Sequence, residues 1–95
     1  MSIEITSETG HGSCRTTNLV DTETGRTFKV LMRPVKRNDG VPAFYEIEVM
    51  VSEPCSTRFV KVLHRSASNE RACHALFNGT IGRIQHYGTW EAKNA

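Results

Sequence analysis

Glu46 and Glu48 stand one residue apart in a stretch, 43–52, that alternates apolar and polar side chains. Such alternation belongs to a strand, and on a strand residues two apart share a face. The spacing therefore sets two carboxylates side by side, the arrangement general acid–base chemistry uses. Cations flank the pair in sequence. Arg26, Lys29, Arg33, Lys36 and Arg37 fall between 26 and 37 with no acid among them, and Arg58, Lys61 and Arg65 form a second basic block. Carboxylates opposite cations read as surface ion pairs rather than as catalytic groups.

The remaining reactive side chains form no constellation. His64 and His74 are the best-placed bases, but no Cys or Ser is paired with either and no third group orients them. His11-Gly12-Ser13-Cys14 has a ligand-like spacing and Cys73-His74 could add donors, yet the paired knuckle of a zinc site is missing. Cys14 on a strand and Cys73 on the helical stripe read as small core residues. No glycine-rich phosphate loop or nucleotide fingerprint occurs. The expectation is a protein without catalytic residues, metal site or cofactor.

Composition agrees with an ordinary globular chain: 95 residues, 38% hydrophobic and 23% charged, with a net charge of +2. That length makes one domain spanning 1–95, with a modest core. The longest apolar runs span only a few residues, so no membrane-crossing helix is expected. Three cysteines and no leader-like start point to reduced thiols and a cytoplasmic location, the host cytoplasm if the chain is phage-encoded.

The elements that must position the charges follow from turn chemistry and periodicity. Residues 1–12 read as a brief edge strand or a loose arm. Strands over 15–20 and 26–33 flank Asp21-Thr22-Glu23-Thr24-Gly25, a turn with Asp at its start and Gly at its end. Pro34 is expected to end the second strand, and a polar loop leads to Pro42. In 43–52, Tyr45, Ile47, Val49 and Val51 share one face, with Phe44, Glu46, Glu48 and Met50 on the other. The strand over 57–64 points Val60 and Val62 inward. Ser66 or Ser68 offers a helix cap, and Cys73, Leu76 and Phe77 make a helical stripe. Asn78-Gly79 offers a stop, because two glycines inside a longer helix would cost roughly 1 kcal/mol each against alanine. The predicted fold is α+β: an antiparallel sheet of about four to five strands, one α-helix over about 68–78 on one face, and a strand over 80–87 after it.

On that plan Lys29 and Arg33 share a sheet face with Glu46 and Glu48, where cross-strand pairs contribute roughly 0.2–1 kcal/mol each. Lys36 and Arg37 lie on a loop, which displays charge to partners. Arg83 extends the basic surface near the helix. The candidate partner-binding set is Lys29, Arg33, Lys36, Arg37 and Arg83.

The segment Ala72-Cys73-His74-Ala75-Leu76-Phe77-Asn78-Gly79-Thr80-Ile81-Gly82-Arg83-Ile84, followed by Trp90, resembles a stretch of small phage anti-CRISPR proteins that act on type I-F systems. The likeness is a helix ending in Phe-x-Gly-Thr, then a β-branched residue, x, Arg-Ile and a later Trp, and it covers about a quarter of the chain. The resemblance implies a non-enzymatic inhibitor that binds an RNA-guided surveillance complex and blocks its recognition of target DNA. It carries over no contact residue, because the shared motif is a structural junction. The partner expected is thus a larger host protein or ribonucleoprotein, with contact to a nucleic-acid backbone in reach, and no membrane or small-molecule substrate. The alternative is a small nucleic-acid-binding accessory protein using the basic loop and strand. A viral or plasmid assembly protein is a third reading.

Overall fold

The computed structural model describes residues 2–90. Five strands form one antiparallel sheet in chain order: β1 (Ile3–His11), β2 (Cys14–Asp21), β3 (Thr27–Lys36), β4 (Pro42–Ser52) and β5 (Val60–Ala67). One helix follows, α1 (Glu70–Tyr87). Each strand pairs with the next, so every connection is a local turn. The 1–12 segment, apart from residue 1, which lies outside the described residues, is the edge strand of the two alternatives.

Turn residues set the hairpins. Asp21 Oδ1 accepts from the backbone N–H of Glu23 and Thr24, and Gly25 closes the β2–β3 turn at φ 80°. Burial opposes the Asp21 charge, but these donors hold its carboxyl below the usual range. In the β1–β2 hairpin a Cβ on Gly10 would overlap the Cys14 carbonyl, so only glycine permits that approach.

Burial follows the alternation. Leu19 on β2, Phe28, Val30 and Met32 on β3, and Ile47, Val49 and Val51 on β4 are buried in one cluster with Cys73, Phe77, Ile81 and Ile84 of α1. Trp90 joins it, its ring 6.4 Å from that of Phe28, so the segment after the helix returns to the sheet. No helix among the described residues is long and apolar enough to cross a membrane.

Several boundaries differ from the expectation. The helix runs through Asn78-Gly79 and Gly82 to Tyr87, and 80–87 is helical rather than a strand. Continuing the helix buries Ile81 and Ile84, each contributing about 1.5–3 kcal/mol, which exceeds the glycine cost of about 1 kcal/mol apiece. The stop is Gly88 instead, left-handed at φ 72°, its N–H donating to the Ile84 carbonyl at 2.9 Å. The start is Asn69, whose side chain accepts from the Ala72 N–H at 2.8 Å, because β5 continues to Ala67 and takes Ser66 into the sheet.

β3 likewise continues through Pro34 to Lys36. Its pairing with β2 ends at Arg15↔Met32, and proline is tolerated where a neighbouring ladder has run out. Finally, β5 begins at Val60 rather than Thr57, and a register shift between Val49 and Met50 breaks its alternation. Val60 is 57% exposed, while Val62 and Leu63 both contact the core. A bulge of this kind re-aims side chains that strict alternation would place.

Candidate functional site

The residues of β3 and β4 that alternate with the core define the other sheet face. In the β3–β4 ladder Arg33 stands opposite Glu46, Leu31 opposite Glu48 and Lys29 opposite Met50. In the β4–β5 ladder Glu48 faces His64 and Met50 faces Lys61. This register gathers two carboxylates and three basic side chains on adjacent strands.

They form one network. Arg33 Nε donates to Glu46 Oε1 at 2.6 Å, and its Nη2 donates to Glu48 Oε1 at 2.9 Å. His64 Nε2 lies 2.8 Å from Glu46 Oε2, and Lys61 Nζ lies 3.3 Å from Glu48 Oε1. Three of the four contacts run diagonally, reaching past the residue directly opposite. The guanidinium fork can span two acids on one strand because its donors diverge in a plane.

The cations cover the acids. The Glu46 and Glu48 side chains are only 12% and 8% exposed, whereas Arg33 and Lys61 remain about half exposed, at 54% and 53%. The hydrogen bond with His64, then that with Arg33, holds the Glu46 carboxyl below the usual carboxylate range. The same bond to Glu46, with the charge of Glu48, raises the Arg33 guanidinium. A carboxylate stabilised as Glu46 is makes a weak base, which fits an electrostatic role better than proton transfer.

Glu46, Glu48 and His64 also bring one ligand atom each within 4.8 Å of one another. A divalent ion there would have to compete with Arg33 and Lys61, which already neutralise both carboxylates, so the donor set fits ion pairing better than metal binding. His11 and Cys14 do pair across the β1–β2 hairpin, but Cys14 is exposed and Cys73 is in the core, where burial pushes its thiol up.

The five sequence candidates separate. Arg33 is held by the glutamates, as its place opposite them implies. Lys29 is not: its partner across the ladder is Met50, and its ammonium sits 4.6 Å from the centroid of the Phe59 ring instead. Such cation–π contacts contribute about 0.5–1 kcal/mol at exposed sites. Lys61 makes the ion pair that sequence reasoning assigned to Lys29. Lys36 ends β3 with no carboxylate partner among the described residues, and Arg37 reaches Asp39 at 3.4 Å within its own loop. Arg83 belongs to α1, where it bonds Thr80 Oγ1 at 3.1 Å and the Trp90 carbonyl at 3.4 Å. It fastens the segment after the helix and does not share the face of Lys29 and Arg33.

His64 and Lys61 are members of the network that the sequence did not place there. Their spacing of three would put them on opposite faces of a regular strand, and only the bulge in the β4–β5 register brings both to this one. Compared with known proteins, the chain matches no family model, no curated protein and no solved structure.

Proposed function

We propose that the chain is a non-enzymatic interaction module, a phage-encoded inhibitor that occupies an RNA-guided surveillance complex and blocks its recognition of target DNA. One observation carries the docking reading: the sheet face away from the core presents a pre-paired charge network, with Arg33 bridging two covered carboxylates. A preformed network loses little side-chain freedom when a partner meets it. Phe44, 38% exposed, and Val35 extend the same face beyond Arg33, and Lys29 with Phe59 lies toward the opposite end. Half-exposed cations with apolar groups beside them on one face suit a partner with acidic or phosphate-bearing patches. Lys29, Arg33, Lys36 and Arg37 are the contacts assigned to it, and the link to surveillance complexes rests on the residues shared over 72–90 alone, since α1 does not end at Phe77-Asn78-Gly79-Thr80.

The test is binding to a purified type I-F surveillance complex, followed by hybridisation of target DNA. Stable binding that prevents hybridisation supports the inhibitor reading, and no binding removes it. The second reading, a nucleic-acid-binding accessory protein, is favoured by the juxtaposition of Lys29 and an aromatic ring on an open sheet. It predicts affinity for bare single-stranded or duplex nucleic acid that falls steeply with salt.

A further inference from the structure

Gly82 lies inside α1, where glycine is among the poorest residues for a helix, yet a Cβ built on it would meet nothing within 4 Å. Neither tight packing nor a left-handed backbone therefore accounts for it. Gly82 instead opens onto a cavity of about 350 Å³ between α1 and the β1–β2 hairpin, a volume in the range of small-ligand sites. The helix wall also carries the carboxamides of Asn78 and Gln85, and the hairpin wall carries Glu8, Arg15 and Thr17. Phe77 and Ile81, both buried, give it an apolar floor.

Thr17 is 2% exposed, and its hydroxyl has no hydrogen-bond partner among the described residues. No described buried side-chain oxygen is both enclosed and unpartnered, so the Thr17 oxygen keeps its access through the cavity it lines. The charges on this wall are also unspent. Glu8 pairs with Thr17 and Gly10 with Arg15 in the ladder, which makes Glu8 and Arg15 diagonal neighbours. Opposite charges so placed commonly pair, but no ion pair joins these two. Arg15 directs its Nε to the Gly12 carbonyl at 2.9 Å and leaves its terminal nitrogens available.

We propose that this cleft binds a small zwitterion of the amino-acid type, its carboxylate on Arg15 and its ammonium on Glu8. The Thr17 hydroxyl and the two carboxamides take the remaining polar groups, and Gly82 leaves room for the ligand to lie against the helix. A zwitterion satisfies both charges, whereas a plain anion would face Glu8 and a plain cation would face Arg15. The ligand is either a free amino acid or the terminus of a short peptide. This site is independent of the charge network on the other sheet face.

The experiment is an amide NMR titration of the full chain with glycine, L-alanine, L-glutamine and triglycine, with acetate and methylammonium as singly charged controls. At least one zwitterion is expected to shift the Gly10, Thr17 and Gly82 amides saturably, with both controls weaker by roughly tenfold. Gly82→Met fills the opening with a better helix former and is expected to weaken binding roughly tenfold while the fold persists. Thr17→Val keeps the shape and is expected to weaken binding severalfold. Tighter binding of the free amino acids than of triglycine identifies a metabolite-sized ligand, and the reverse order identifies a peptide terminus. No saturable shift with any of the four, acetate binding equal to theirs, or unchanged affinity in folded Gly82→Met overturns the proposal.

Discussion

Glu48 and Val51 lie on the same strand and are equally exposed, at 6%, but they point to opposite faces of the sheet and are covered in different ways. Val51 belongs to the cluster shared with α1, where apolar surface is removed from water. Glu48 is covered by Arg33 and Lys61, whose own side chains remain half exposed. Val51 is thus covered by a separate element, and Glu48 by the ions that neutralise it. Burial against a helix closes a residue to partners, whereas the half-exposed cations over Glu48 stay within a partner's reach.

The difference should appear first in the energetics of truncation. Phe28→Ala, on the core face, is expected to cost about 3–5 kcal/mol in urea unfolding. Glu48→Ala should cost less, about 1–2 kcal/mol, because the released cations fall back into water rather than being stranded in the core. Glu48→Leu should recover most of that loss, since apolar replacement of a covered ion pair is often neutral or better. A Glu48→Ala cost equal to that of Phe28→Ala would break the comparison.

A smaller effect tests the helix that seals the core. Gly79→Ala and Gly82→Ala are each expected to raise stability by up to about 1 kcal/mol, because both positions are helical and neither meets close backbone. Destabilisation by both would speak for the strand that sequence reasoning placed at 80–87.

The smallest expected effect is on acid sensitivity. The folded-state pKa of Glu46 is lowered, so its stabilising contribution is complete above the unfolded value, near 4.5, and is lost as pH falls through the lower folded value. Glu46→Gln should therefore flatten the decline in thermal midpoint below about pH 4.5, relative to the wild type. An identical acid limb in both proteins would show that the network adds nothing to pH stability.

Most of the sheet was legible because alternation and turn residues act locally. Asp21 to Gly25 specified the β2–β3 turn, and the phase of 43–52 put Ile47, Val49 and Val51 in the core with Glu46 and Glu48 opposite. The helix end was not legible, because it depends on a long-range gain: the burial of Ile81 and Ile84 outweighs a local penalty at two glycines. Nor was the full network. Lys29 and Lys61 look equivalent in sequence, and only the β3–β4 register and the β5 bulge give Lys61 the carboxylate and Lys29 the Phe59 ring.

The sheet face opposite α1, with its adjoining loop, is the surface proposed to meet the partner. It is tested most directly by affinity for the purified surveillance complex in two charge-reversed proteins. Lys29→Glu with Lys36→Glu should weaken binding by roughly tenfold or more at temperatures where the domain is folded, with the thermal midpoint lowered only by the loss of the Lys29–Phe59 contact. Arg83→Glu, on the helix, should leave affinity near wild type at temperatures where the domain is folded. Unchanged binding in the Lys29/Lys36 double variant, or an equal loss in folded Arg83→Glu, would contradict the account.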